Sequence, residues 1–167
     1  TFIGAIFTPF YITYAQTLEQ TFIFAGTSLA LYTILTGVLI YFLGKVESRF
    51  SDKRDLMAAG YIVKGIGFIV IGLSFSSTSI IVSLLILALG SALSMPAFDA
   101  LYSKRVDHED STVQWANLQS SNFIVAGLAA LIGTVLIQYF GFKEIFVGLG
   151  VLSMFIAFFV HRFEYLN

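Results

Sequence analysis

Long apolar runs interrupted by short polar breaks dominate the chain. Segments near the roughly 20 residues needed to cross a bilayer recur at 2–15, 22–43, 56–75, 80–102, 113–140 and 145–160. This pattern predicts six helices in one membrane domain over residues 1–167. The first run is short and lacks both an initiator Met and a basic lead, so it reads as a helix missing its first turns rather than a signal peptide. The fifth is long enough to tilt or protrude, and the sixth ends at an interface marked by His161 and Arg162.

Lys and Arg fall almost entirely in alternate breaks. Lys45, Arg49, Lys53 and Arg54 follow the second run, Lys104 and Arg105 the fourth, and Arg162 the sixth; the opposite breaks hold only Lys143. The positive-inside bias puts the rich side, and with it both termini, in the cytoplasm, which suits a plasma or other cytoplasmic-type membrane.

Composition agrees. Hydrophobic residues make up 57% and charged residues 11%, against roughly 25% charged in soluble domains, and the mean hydropathy is +0.88. A net charge of −1 leaves no basic surface for a nucleic acid. With no cysteine, disulfides and thiol chemistry are excluded.

Small residues mark helix contacts, which in lipid depend on close approach. Gly60, Gly67 and Ser74 recur every seven residues on the third helix. Gly90 and Ser94, Ala126 and Ala130, and Ala129 and Gly133 are spaced by four on the fourth and fifth. Ser111 with Gln114 fits a capping box opening the fifth helix.

No nucleophile, base or metal cluster emerges, so neither an enzyme nor a cofactor is predicted. The "DHED" turn at 107–110 reads as a solvated acidic loop. Intramembrane charge carries more information. Lys64 is either a cavity cation or a lysine snorkelling to the headgroups. Asp99, just after Pro96, invites pairing with a nearby base. A polar stripe opens the fifth helix at Gln114, Asn117, Gln119, Ser120, Ser121 and Asn122. It offers either a hydrated wall or interhelical hydrogen bonds, and Asn122 lies deep enough to need a partner. Pro9 can break the first helix beside Tyr11 and Tyr14, candidates for lining a pathway or simply interfacial tyrosines.

The stretch "GKVESRFSDKRD" (44–55) sets four bases and three acids between two apolar runs. With six helices and cytoplasmic termini around it, the chain resembles one half of a major facilitator superfamily transporter. In that family the loop reads Gly, three residues, Asp, Arg or Lys, one residue, Gly, then bases. Gly44, Arg49, Lys53 and Arg54 match, while Ser48 and Ser51 replace the acid and the second Gly. "ALGSALSMPAFDALYSKRVDHED" (88–110) and "GLAALIGTVLIQYFGFKEIF" (127–146) resemble the family's fourth helix end and fifth helix exit. The antiporter signature is not met: no Pro separates Gly127 from Gly133, and Leu87 stands where a proton-coupled antiporter has Arg.

The resemblance implies an all-α membrane fold of two inverted three-helix repeats. It implies a small-solute transporter working by alternating access, with Gly44, Arg49, Lys53, Arg54 and Asp99 as a cytoplasmic latch. Its partners would be the bilayer, the solute and a second six-helix half, in the same chain or in a second copy. The alternative is a non-transporting membrane module that binds a partner through its helices.

Overall fold

The computed structural model describes residues 2–18, 21–47, 52–106 and 110–162. They form six helices: α1 (Phe2–Thr17), α2 (Phe22–Glu47), α3 (Lys53–Gly72), α4 (Ser77–Ser103), α5 (Ser111–Phe140) and α6 (Phe142–Arg162). Helix is what hydrocarbon demands of such runs, because only intrasegment hydrogen bonds satisfy the backbone there. Five of them, α2 to α6, are long and apolar enough to cross a membrane. The 16 residues of α1 span about 24 Å at 1.5 Å each.

Helix ends extend into the polar flanks, for local reasons. The side chain of Asp52 accepts the Arg54 N–H at 2.8 Å, so α3 starts at Lys53 rather than at the first apolar residue. The predicted capping box sits elsewhere: Ser76 and Ser79 form one ahead of α4, whereas Asp110 precedes α5 without a side-chain cap bond. The α5–α6 turn depends on Gly141, whose φ of 89° is a region other residues avoid; its N–H bonds Ile137 O at 2.8 Å.

Packing centres on α3, wedged between α4 and α6. A Cβ on Gly60 would lie 2.8 Å from Gly90 O, and one on Gly65 2.8 Å from Gly150 O. Backbones thus touch on both sides, the close approach small residues permit. Helix α2 packs on α4 and α1 on α5. Exchanging the first three helices for the last three maps these two contacts onto each other and α3–α6 onto itself, as two three-helix repeats require. The seams are unequal, since α3–α4 is far more extensive than its counterpart α1–α6.

An aromatic cluster fills the centre. Phe7 meets Tyr11, Phe68 and Phe146 with ring centroids 5.3, 5.4 and 5.9 Å apart, and Tyr14 meets Phe146 at 4.9 Å. Edge-on and tilted contacts of this kind add to the burial itself.

Candidate functional site

The residues singled out from the sequence separate into three places, with Lys64 of α3 apart from them. The first is the basic end of the bundle, where α2, α4 and α6 finish and α3 and α5 begin. Gly44 is exposed and lies inside α2, not at a turn, with nothing within 4 Å of a Cβ built on it. Lys53 and Arg54 occupy the first turn of α3, set there by the Asp52 cap. Two bases at a helix N-terminus oppose the helix dipole, and Asp55 beside them offsets it. Asp99 is exposed on α4, three residues beyond Pro96. Arg49, with Ser48 and Ser51, lies outside the described residues, as do residues 107–109 of the acidic turn.

Other bonds stitch this end together. His161 Nδ1 meets Asp55 Oδ1 at 3.0 Å, tying the end of α6 to the start of α3 with both side chains about 60% exposed. Tyr102 donates to Gln114 O at 2.8 Å and sets its ring edge-on to Trp115 at 5.0 Å, joining α4 to α5. Lys45 donates to the Tyr41 hydroxyl at 3.1 Å and lies 4.4 Å from that ring's centre.

The second place is the core. Tyr11 is fully buried, its hydroxyl 2.7 Å from Ser28 Oγ. Tyr14 is buried and donates to Ile71 O at 2.7 Å, satisfying a carbonyl in the last turn of α3. Both hydroxyls are therefore partnered inside the aromatic cluster. Tyr32 on α2 makes a similar link to Ser91 on α4 at 3.2 Å.

The third place is α5, where only Ala129 and Gly133 are buried. Asn117, Gln119, Ser120 and Ser121 are exposed, and none of their side chains has a hydrogen-bond partner among the described residues; Asn122 is half-buried. The exposed threonines of α2 differ: Thr27 and Thr33 turn back to carbonyls of their own helix at 2.8 to 3.2 Å. Lys64, half-buried on α3, rests its stem on Gly90 and holds its ammonium 5.4 Å from the centre of the Tyr61 ring.

Among the described residues no three His, Asp or Glu side chains gather as a metal group would require. The arrangement pairs a tightly packed trio, α3, α4 and α6, with a long helix on which Asn117, Gln119, Ser120 and Ser121 stand exposed. Compared with known families, residues 1–165 match the model of the Major Facilitator Superfamily. The chain belongs to that superfamily. No curated relative and no solved structure matches it.

Membership in the major facilitator superfamily makes this a membrane transporter protein, from a family of carriers rather than enzymes. The six described helices and their repeat-like pairing fit that family's helical membrane fold. The contacts between Asp55 and His161 and between Tyr11 and Ser28 were missed from sequence. The first joins residues 106 apart, and neither partner type signals the other. The capping box expected at Ser111 is built instead by Ser76 and Ser79 ahead of α4.

Proposed function

We propose that the chain forms half of a secondary transporter that moves a small solute by alternating access, with a second six-helix half completing the pathway. The observation that carries this reading is the exposed polar stretch near the start of α5. Hydrocarbon offers Asn117, Gln119, Ser120 and Ser121 no hydrogen bonds, so this stretch suits water in a pathway or a second half. The superfamily match supports the same assignment. Both termini lie in the cytoplasm of a plasma-type membrane, following the distribution of Lys and Arg. The basic end acts as a latch, with Arg49 reaching Asp99 and Lys53 and Arg54 reinforcing the loop's positive charge.

The cysteine-free sequence makes accessibility a direct test. Single cysteines at Gln119, Asn122 and lipid-facing Phe155 are exposed to a membrane-impermeant maleimide in native membranes. Labelling at 119 and 122 but not 155 is expected for a hydrated pathway. Protection at all three favours the non-transporting module and rejects the transport reading. Arg49→Ala should lower uptake in vesicles with insertion intact; unchanged uptake rejects the latch.

A further inference from the structure

Glycines occupy two faces of α3, and its polar side chains lie between them. Gly60 and Gly67 approach Gly90, Ser94 and Leu87 of α4, while Gly65 and Gly72 approach Met154, Gly150 and Phe146 of α6. With about 3.6 residues per turn, Tyr61, Lys64 and Phe68 fall between these directions. Phe68 packs against Phe7 of α1, which fixes this side as the interior of the bundle. Lys64 is therefore an inward cation roughly 17 Å along its helix from Lys53. Among the described residues no carboxylate lies within ion-pair distance of it; the ion pair found there joins Asp55 to His161.

A second anomaly lies at the same depth. Helix α6 runs antiparallel to α3, with Gly150 against Gly65 and Ile69 and Met154 against Gly65. Ser153 sits between these contacts, fully buried, and its hydroxyl has no hydrogen-bond partner. Other buried serines turn back to their own helix: Ser28 to Phe24 O, Ser74 to Val70 O, Ser83 to Ile80 O and Ser94 to Ser91 O. Buried polar groups are ordinarily bonded, and an intramembrane ammonium ordinarily has a counter-charge.

An ammonium and a hydroxyl, both able to donate and both at one level of the bundle, make a donor set without its acceptor. We infer that Lys64 and Ser153 bind the head of a small monoanion, such as a carboxylate, inside the bundle, with the Tyr61 ring beneath the ammonium. A single negative charge neutralises the site, whereas a dianion leaves a net charge in a medium that penalises it, and a cationic solute is repelled. As a solute class this rests on the transport reading; as a binding site it does not need transport.

The test uses the full chain in lipid nanodiscs, titrated with sodium benzoate and sodium acetate at constant ionic strength held with sulfate salts, with sodium sulfate and choline sulfate as controls. Both carboxylates should raise the thermal unfolding midpoint saturably and the controls should not. Lys64→Gln should abolish the response, Lys64→Arg should retain part of it, and Ser153→Ala should weaken apparent affinity about fivefold, the worth of one hydrogen bond. No saturable rise in the native chain, or an unchanged rise in Lys64→Gln, overturns the site. Should Lys64→Gln fail to fold, unchanged affinity in both Lys64→Arg and Ser153→Ala overturns it. Uptake of a neutral solute without any carboxylate response defeats the anion site and leaves transport standing. A carboxylate response with no flux in proteoliposomes does the reverse.

Discussion

Replacing Gly90 by alanine sets helix propensity against packing, and the geometry decides the winner. In a free helix the change is favourable by up to about 1 kcal/mol. At this position the new Cβ would lie 2.6 Å from Lys64 N, 2.8 Å from Gly60 O and 2.8 Å from Lys64 Cγ. Two of these three atoms are backbone and cannot rotate away, so α3 and α4 must separate by roughly 0.8 Å to restore ordinary contact, an overpacking that costs about 3 kcal/mol. A gap of that size also forfeits a quarter to a half of each dispersion contact along the seam. The net expectation is destabilisation by about 2 kcal/mol, or a midpoint roughly 4–8 °C lower for a chain of this size. Gly127→Ala is the internal control, because nothing lies within 4 Å of its Cβ; it should be neutral or stabilising. Thermal denaturation of both variants in nanodiscs, followed by circular dichroism, measures the difference. Equal stability of the two, or a Gly90→Ala midpoint at or above the native one, would refute the claim that backbone contact closes this seam.

Four further outcomes follow from contacts elsewhere. Gly141→Ala should lower stability by about 1–3 kcal/mol, since φ is 89°, and the same melting assay reads it. Phe7→Ala should cost about 3–5 kcal/mol by emptying the centre of the aromatic cluster. Tyr14→Phe should cost only about 1 kcal/mol, because Ile71 O keeps the Ser74 N–H at 3.1 Å; comparing the two melts separates ring burial from hydroxyl bonding. Asp55→Asn should cost under about 1 kcal/mol, as exposed ion pairs do, and the difference should vanish as salt is raised; a larger or salt-independent loss argues for a structural role.

Hydropathy made all six helices legible, because apolar length is a direct requirement of the bilayer. Their limits were read short because charge was taken to end a helix. Asp52 caps α3 ahead of Lys53, and α2 continues through Gly44 to Glu47. The spacing of Gly60 and Gly67 correctly marked a contact face. The second face, Gly65 with Gly72, escaped notice because it pairs with Gly150 across a long stretch of sequence. Tyr11 and Tyr14, beside Pro9, drew attention as pathway candidates, and their hydroxyls are spent on Ser28 and Ile71 O. Nothing local could show that, since each partner arrives on a different helix. Ser153 gave no signal in sequence either: a serine in a helix is common, and only the folded bundle reveals that its hydroxyl is left over.

The wedging of α3 between α4 and α6 also bears on the order of assembly. During synthesis α3 is complete at Gly72, yet the helix that covers Gly65 and Gly72 does not begin until Phe142. Until then those glycines face lipid with no side chain to fill the groove, and their half of the α3 seam contributes nothing. The first three helices are therefore not a self-sufficient folding unit. They are inserted early and locked late, when α6 slides its Gly150 against Gly65, so the stability of the whole bundle matures only as its final helix docks.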